Sequence, residues 1–407
     1  MSGDRTMPGP SSTKPTPVVV TLLPIVTVVF ILFLVTGTAL PVLPLHVHRG
    51  LGLGTFVVGL VAGAQFSASL LSRFWSGQYA DTRGAKRATV AGLLLATTSG
   101  GLYWASLRFA ATPVTSVTIL LLGRAVLGAA ESCVITGSLS WGLALVPPQN
   151  AGKVMVWVGL AMYVALAVGA PAGTALYAAS GFVSIALATM LVPAIGLVVV
   201  ARVRGVQPQP GARPAFATVV RAVWMPGLGL ALSSVGFGAM TTFVVLLFAH
   251  DGWSHAWVAL SAFFVAFVLG RLAMGHLPDR RGGASVALVS VLVEAAGLAL
   301  IAVAPSPIVA FSGAAVTGFG YTLVYPGLGL EAVRRAPAES RGLAMGAYTA
   351  FLDLALGLAS PALGLAASGI GLRAVFLISA LAVLGSAVIS LGMTWRPAGP
   401  SFPRAES

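Results

Sequence analysis

The sequence predicts an all-α membrane protein in which twelve transmembrane helices form two pseudo-symmetric six-helix bundles. The first observation is composition: 57% of the 407 residues are hydrophobic and 8% are charged, whereas soluble domains carry about 25% charged residues. The second is a series of twelve apolar runs, each with the roughly 20 residues needed to cross a hydrocarbon core of about 30 Å. The third is an internal repeat that relates the first six runs to the last six. Together these observations exclude a soluble globular fold.

The net charge does not indicate a nucleic-acid partner. The chain carries +13 at pH 7, but its basic residues lie in short loops between apolar runs, where orientation in a membrane explains them. We therefore expect a lipid bilayer as the partner and no nucleic acid. Cys133 is the single cysteine and lies inside an apolar run, which predicts no disulfide framework and no thiolate metal site. No metal and no cofactor are expected.

The chain divides into five parts. Residues 1–17, rich in Pro, Ser and Thr, predict a disordered cytoplasmic N-tail, and residues 396–407 predict a cytoplasmic C-tail. The N-terminal bundle covers 18–202 and the C-terminal bundle 222–395, joined by a hydrophilic cytoplasmic linker at 203–221. The first apolar run is too long for the core of a signal peptide. The predicted spans are 18–45, 54–79, 88–108, 114–144, 153–178, 181–202, 222–249, 256–277, 284–304, 307–333, 342–368 and 372–395.

The distribution of Lys and Arg predicts the orientation. With the N-terminus in the cytoplasm, seventeen Lys and Arg residues fall on cytoplasmic segments, and only Arg49, Arg108 and Arg373 fall on outer loops. Cytoplasmic loops carry the excess of basic residues in membrane proteins. The sequence therefore predicts a multi-pass protein of the bacterial cytoplasmic (inner) membrane with both termini in the cytoplasm.

Two sequence matches carry the internal repeat. The element RFWSGQYADTRG, which begins at Arg73, recurs 198 residues later as RLAMGHLPDRRG, which begins at Arg271. A second set recurs 190 residues later in the same order: Gly128, Pro147, Gly152, Met155 and Pro171 match Gly318, Pro337, Gly342, Met345 and Pro361. Parallel halves of six spans are typical of transporters in which a pathway runs between the halves.

With these motifs, the chain resembles the major facilitator superfamily over essentially its whole length. GQYADTRGAKR (77–87) is similar to the family signature between helices 2 and 3, G-x-x-x-D-[RK]-x-G-[RK]-[RK], but has Thr82 and Ala85 where the family has basic residues. Arg124 in LLLGRAVLGAAES resembles the helix-4 motif R-x-x-x-G of proton-coupled exporters. VGAPAG (168–173) resembles the Gly-Pro motif of antiporters. GTALPVLPLHVHRGLG and GRAVLGAAES resemble a bacterial branch of sugar- and drug-efflux-like permeases.

The repeated loop element predicts a gate at the cytoplasmic face. Asp81 stands where span 2 ends, where a carboxylate can accept from a helix N-terminus or pair with Arg. Gly77 and its copy are expected to let a neighbouring helix approach, and Gly84 suits a tight turn. The alternative interpretation is a topology anchor that only turns the chain. The predicted gate residues are Arg73, Gly77, Asp81, Arg83, Gly84 and Lys86, with Arg271, Gly275, Asp279, Arg280 and Gly282 in the second copy.

Ionisable residues inside spans are candidates for proton coupling and substrate binding, because a charge at the bilayer centre costs about 2.5–3.5 kcal/mol. Arg124 and Glu131 lie nearly on one face of span 4, about 10 Å apart along the axis. In the family's arrangement helices 1, 4, 7 and 10 line the pathway, so the resemblance makes these two cavity residues and Asp353 a lateral one. Tyr163 and Tyr321 are further cavity candidates. For each, the alternative is a buried polar group satisfied by its neighbours.

Span 5 contains Gly169, Pro171 and Gly173. Pro171 removes one backbone hydrogen bond and favours a bend, and the small residues permit close packing, here expected against a helix of the other half. Pro361 is the equivalent in span 11. An ordinary kinked helix is the alternative interpretation.

These features predict a secondary active transporter, a proton-coupled exporter of small organic molecules such as sugars or drugs, acting by alternating access as a monomer. The coupling ion is expected to be H⁺, although the sequence leaves Na⁺ open. A proton-coupled uptake symporter of a small metabolite and a non-transporting sensor on a transporter fold remain alternatives. An enzyme is not expected, since the sequence contains neither H-E-x-x-H nor G-x-S-x-G, and no GKS or GKT triplet of an ATP-binding loop.

Overall fold

A computed structural model of the chain describes residues 18–147, 150–203, 205–206, 216–336 and 341–395. In these ranges, twelve helices are long and apolar enough to cross a membrane. We number them α1 to α12 and treat the interrupted ones as single helices. They are α1 (Val18–Ala39), α2 (Thr55–Arg83), α3 (Ala85–Leu107), α4 (Pro113–Leu145), α5 (Ala151–Ser180), α6 (Phe182–Ala201), α7 (Phe216–His250), α8 (Ala256–Met274), α9 (Gly283–Ala302), α10 (Pro307–Tyr321 and Val324–Arg335), α11 (Arg341–Ile370) and α12 (Leu372–Trp395).

The twelve helices confirm the predicted spans, and three short turns accompany them. α1 continues as Leu43–Leu45 and a π-helical turn at His46–Gly50, and Leu277–Arg281 forms one helical turn between α8 and α9. The predicted tails and most of the predicted linker, including residues 207–215, lie outside the described residues.

Prolines explain where two of the helices are interrupted. α1 stops at Ala39, just before Pro41, because proline has no N–H to donate and disfavours the helical conformation of the residue before it. In α10 the helix stops at Tyr321 and restarts at Val324, with Pro326 in the first turn of the new segment, a position that tolerates proline. Irregular backbone at membrane depth is tolerated where protein or a cavity surrounds it.

The two bundles, α1–α6 and α7–α12, meet along two seams. At one seam α2 packs against α11, and at the other α5 packs against α8. Thr55 donates from Oγ1 to the carbonyl oxygen of Gly364 at 2.8 Å across the α2–α11 seam. Ser261 donates from Oγ to the carbonyl oxygen of Ala167 at 3.0 Å across the α5–α8 seam.

The internal repeat holds in three dimensions, as the two seams show. Gly63 of α2 lies against Gly357 of α11, so closely that a Cβ on Gly63 would be 2.7 Å from the Gly357 carbonyl oxygen. The 198- and 190-residue offsets map this pair onto Ser261 and Ala167, which are in contact at the other seam. The same offsets therefore relate the seams residue by residue.

A second pair of contacts repeats inside the bundles. Gly128 of α4 lies against the backbone of Gln65 in α2, and Gly318 of α10 lies against the backbone of Phe263 in α8. Neither glycine leaves room for a Cβ. Small residues that let helix backbones approach are a usual means of packing in membranes. The contact at Gly128 holds α2 against α4, and the contact at Gly318 holds α8 against α10.

Candidate functional site

A cavity of about 70 Å³ lies between the two bundles. Its wall combines polar and aromatic side chains from both halves. Polar groups of α1, α2 and α4 face it on the N-terminal side, and Phe237, Thr241 and Thr242 of α7 face it on the C-terminal side. A mixed wall of this kind, largely apolar with a few polar groups, is typical of small-molecule sites.

Glu131 of α4 is the buried carboxylate of this cavity, with 6% of its surface exposed. Its Oε1 accepts a hydrogen bond from Thr36 Oγ1 of α1 at 2.8 Å and one from Gln65 Nε2 of α2 at 2.6 Å. Both donors are neutral. The structure thus places Glu131 where the sequence predicted it, on the cavity wall, and joins three helices through one carboxylate oxygen.

Arg124 lines the same cavity, as the resemblance to the family implied. Its Nη1 donates to the Tyr103 hydroxyl at 3.4 Å. Within the described part of the chain, Arg124 Nε and Gln65 Oε1 are buried and have no hydrogen-bond partner. Since buried polar atoms are normally paired, both atoms are suited to bind water or a polar group of a substrate.

Asp353 of α11 does not line the cavity; it pairs with Arg73 of α2 across the seam. Arg73 donates to Asp353 Oδ2 through Nε, at 3.0 Å, and through Nη2. Ser69 donates to the same oxygen at 3.5 Å. The Asp353 side chain is 5% exposed and that of Arg73 is 23% exposed. The structure therefore joins a predicted cavity residue to a predicted gate residue.

One face of α2 connects this ion pair to the cavity. Gln65, Ser69 and Arg73 are spaced four residues apart, so they lie one above another on the helix. Gln65 binds Glu131, while Ser69 and Arg73 bind Asp353. Gln65 and Ser69 were not among the residues predicted from the sequence. The signal that would have found them is the i, i+4, i+8 spacing of polar residues in an apolar helix.

In the described part of the chain, the other seam has no equivalent ion pair. By the offsets of the repeat, Arg73 corresponds to Arg271 of α8, and Asp353 corresponds to Tyr163 of α5. Tyr163 stacks on Phe267, one helical turn before Arg271, with ring centroids 3.7 Å apart. Among the described residues, no carboxylate forms a salt bridge with Arg271. One seam is thus closed by charge and the other by aromatic packing.

Tyr163 and Tyr321 are not part of the cavity wall, contrary to the sequence-based expectation. Tyr321 is 2% exposed and lies at the break in α10, with its hydroxyl 3.4 Å from Ser234 Oγ of α7. Tyr163 is held in the α5–α8 seam by its stacking on Phe267. Each ring packs against neighbouring helices instead of facing the cavity.

Glu294 of α9 is a further buried acid, with 0% of its surface exposed, and it lies inside the C-terminal bundle. Its Oε2 accepts from Ser233 Oγ of α7 at 2.5 Å. Its Oε1 faces Gly236, where a Cβ would come within 2.6 Å. Glu294 is thus absent from the lining of the cavity.

The repeated loop turns as predicted but packs differently. Gly84 and Gly282 have positive φ angles of 96° and 89°, which glycine adopts without the steric cost of a Cβ. The close approach expected at Gly77 and Gly275 is not found. A Cβ on Gly77 would meet nothing within 4 Å, and one on Gly275 would meet only Arg271 of its own helix.

The charged residues of the loop lie mostly at the surface. Arg83, Asp279 and Arg280 are exposed, and Asp81 is half-buried in the last turn of α2. Lys86 donates from Nζ to the carbonyl oxygen of Val203 at 2.6 Å, at the end of α6. A cation at a helix C-terminus stabilises the unpaired carbonyls. Lys86 therefore makes this contact inside its own bundle rather than between the bundles.

The small residues of α5 pack inside the N-terminal bundle, not against the other half as expected. Gly169 lies against Gly37 of α1, and Gly173 lies against Thr38. Pro361 of α11 does contact the other half, since its ring lies 3.1 Å from where Gly63 would carry a Cβ. α5 and α11 each continue through their proline as one helix.

Twelve membrane helices in two repeated bundles, with a largely apolar cavity that carries a few polar groups between them, are the architecture of a membrane transporter. The family model described as Major Facilitator Superfamily matches residues 25–259 and 228–407, so the chain belongs to that family, whose members are transporters and not enzymes. A relative from Salmonella typhimurium, named "Uncharacterized MFS-type transporter STM4428", is 42% identical over 91% of this chain and 96% of its own. Another relative, from Burkholderia pseudomallei, is named "Uncharacterized MFS-type transporter BURPS1106A_3201". It is 38% identical over 98% of this chain and 98% of its own.

Solved structures share the fold. The nucleoside transporter NupG superposes with a TM-score of 0.68 at 15% identity, over 92% of this chain and 99% of its own. A bacterial homolog of the human lysosomal transporter Spinster, in an inward-facing and unoccupied conformation, superposes with a TM-score of 0.72 at 13% identity. The match covers 97% of this chain and 100% of the homolog's chain. The match confirms the predicted fold class.

Proposed function

We propose that this transporter is a proton-coupled antiporter that exports small organic molecules, with Glu131 as the proton-carrying group. The observation that carries the proposal is the position of Glu131, buried on the cavity wall and held by two neutral donors. A proton carrier must load and unload near neutral pH, and burial with neutral partners is the environment that permits this for a carboxyl group.

The proposed coupling runs along α2. Ionised Glu131 accepts from Gln65 through Oε1, and protonation weakens that contact because a neutral carboxyl oxygen is a weaker acceptor than a carboxylate oxygen. Four and eight residues further along the same helix face, Ser69 and Arg73 hold Asp353 of the other bundle. Protonation of Glu131 and separation of the α2–α11 seam therefore both change contacts of the same helix, α2. Rocking of the bundles then exposes the cavity alternately to the two sides.

The cavity wall supports a substrate that is partly polar and partly apolar. Glu131, Gln65 and Arg124 offer hydrogen bonds, and Phe33 and Phe237 offer aromatic surface. Sugars and amphipathic drugs have both kinds of surface. Export is favoured by the resemblance of VGAPAG in α5 to the antiporter motif.

The excess of Lys and Arg on one set of loops supports an inner-membrane protein with both termini in the cytoplasm. On this orientation the α2–α3 and α8–α9 loops face the cytoplasm, and the Arg73–Asp353 pair closes that side. We expect the monomer to be the working unit, because the cavity is complete within one chain.

The test uses purified protein in liposomes that contain a pH-sensitive dye, with potassium and valinomycin to clamp the membrane potential. Candidate sugars and amphipathic drugs are added outside. An antiporter expels protons as substrate enters, so the lumen becomes more alkaline. A symporter acidifies the lumen, and a non-transporting sensor changes nothing. Either of the last two results contradicts the proposal.

Variants locate the coupling group. Glu131→Gln should abolish proton flux while leaving substrate exchange measurable. Glu294→Gln is the matched control, because it removes an equally buried carboxylate outside the cavity, and it should leave flux coupled. If Glu131→Gln remains coupled, another group carries the proton and the assignment is wrong.

A further inference from the structure

A second and larger cavity lies at the outer end of the α5–α8 seam, with a volume of about 290 Å³. It is formed by the end of α1, the end of α5, the end of α7 and the start of α8. Both bundles thus contribute to it. It lies at the end of the molecule opposite to the Arg73–Asp353 pair, where Arg49 donates from Nη2 to the carbonyl oxygen of Ala249 at 2.6 Å and joins α1 to α7.

Aromatic rings line this outer cavity. Tyr177 comes from α5, Trp257 from α8, and Phe248 and Trp253 from the end of α7 and the loop after it. Phe248 and Trp253 fix each other edge to face, with centroids 5.3 Å apart. Rings presented on several sides of one cavity bind planar apolar groups through area burial and stacking.

The backbone at the rim is unusual. His255 has φ 62° and ψ 36°, the single positive-φ residue other than glycine in the described ranges. The left-handed conformation costs about 1–2 kcal/mol for a residue with a Cβ. His255 ends the loop after α7, and α8 begins at Ala256. Trp253, His255 and Trp257 all line the same cavity.

The cavity wall carries a positive charge. Arg49 is at its rim and makes one hydrogen bond within the described structure, which leaves most of its five N–H donors available. Described residues that line the cavity include no Asp or Glu. Asp251 is close in sequence, but it is held by Arg373 at 2.7 Å. A guanidinium in an aromatic cavity without a carboxylate attracts an anion and repels a cation.

We propose that this outer cavity, lined by Tyr177, Trp253, Trp257 and Arg49, is a binding site for aromatic organic anions such as aryl carboxylates. The inference rests on the proposed function in one respect: the orientation proposed there puts this cavity on the outer face, the side to which an exported substrate is released. The ring of the ligand stacks among the tryptophans, and its carboxylate accepts from Arg49.

The test measures binding of three probes that share one ring system to the whole protein in detergent, by titration calorimetry against empty micelles. The probes are 1-naphthoate, neutral 1-naphthamide and cationic 1-naphthylmethylammonium. The expected order of affinity is carboxylate, then amide, then ammonium. Arg49→Gln should lower the affinity for the carboxylate about tenfold, the effect of losing one charge-assisted hydrogen bond. It should leave the affinity for the amide unchanged. Trp257→Leu should lower the affinities for the carboxylate and for the amide by the same factor.

The chain supplies a matched control. Arg108 lies over the ring of Trp104 at 5.6 Å from its centroid, at the outer end of α3 and away from the cavity. Arg108→Gln and Trp104→Leu should leave binding unchanged. Trp257→Phe, which keeps an aromatic ring, should retain most of the affinity and guards against loss through misfolding. The proposal is overturned if 1-naphthoate binds no better than to empty micelles, if the ammonium binds best, or if Arg49→Gln and Trp257→Leu have no effect.

Binding and transport fail separately in these experiments. If 1-naphthoate binds as expected but no substrate moves protons in liposomes, this site stands and the proposed function falls. If substrates move protons while the cavity variants bind 1-naphthoate like the wild type, the function stands and this site falls.

Discussion

Arg73 of α2 and Asp353 of α11 form an ion pair that joins the two bundles at one seam, and the described residues form no equivalent pair at the other. The pair is mostly buried, with Asp353 5% exposed. Removing one partner of a buried pair leaves an uncompensated charge, which costs more than the pair itself contributes. The opening of this seam therefore requires both charges to find new partners or water.

The first prediction concerns exchange of the two charges. Arg73→Ala and Asp353→Ala should each lower the apparent melting temperature in detergent, and the double exchange Arg73→Asp with Asp353→Arg should recover at least half of the loss. A double-mutant cycle should give a coupling of about 0.5–3 kcal/mol. Arg108→Ala is the control for loss of an exposed cation. An exchange variant no more stable than either single variant would show that the pair does not hold the seam.

The second prediction adds the missing carboxylate. Tyr163→Asp places an acid at the position equivalent to Asp353, near Arg271, and should create a second ion pair at the α5–α8 seam. Substrate-driven proton flux should fall by about fivefold or more, since roughly 1 kcal/mol added to the barrier has that effect. Tyr163→Asn removes the same ring without adding charge. Equal proton flux in Tyr163→Asp and Tyr163→Asn would show that no second ion pair closes this seam.

The third prediction concerns the pH profile of transport. Thr36 and Gln65 donate to Glu131, and such donors favour the ionised form. With Thr36→Val or Gln65→Leu the ionised carboxylate loses one donor, so the midpoint of the profile should move to higher pH. Thr98→Val removes an exposed hydroxyl that bonds only within α3, and should leave the midpoint in place. A downward shift or no shift would contradict the role of these donors.

The fourth prediction concerns the contact of α2 with α4. A Cβ at Gly128 would lie 3.0 Å from the backbone nitrogen of Ser69 and closer still to Gln65. Gly128→Ala should therefore destabilise the protein by about 1–3 kcal/mol, as overpacking does. Gly101 of α3 has open space around it, so Gly101→Ala should be neutral or slightly stabilising. Thermal unfolding of both variants in detergent compares them directly.

The sequence was informative about every feature that depends on position along the chain. Span number, the repeat and the tight turns at Gly84 and Gly282 follow from hydropathy, offset matches and glycine placement. The seven-residue spacing of Arg124 and Glu131 predicted that they share one face of a helix, and the resemblance to the family implied that this face lines the cavity. These features depend on local chemistry and on periodicity, which a single sequence displays.

The sequence did not reveal the partners of these residues. Lys86 was expected to act between the bundles, but it binds the end of α6 in its own bundle. Asp353 was expected beside the cavity, but it binds Arg73. In both cases the position along the chain was predictable, and the side chain's partner was not.

The sequence by itself determined the membrane class, the twelve helices, the two-fold repeat and the presence of a few costly charges inside spans. Only the tertiary structure decided that Glu131 binds Thr36 and Gln65, that one seam carries an ion pair, and that Tyr163 takes the place of a second carboxylate. The physical reason is that hydropathy constrains each helix along the membrane normal. The contacts of a helix within the membrane plane depend on packing against helices that are distant in sequence.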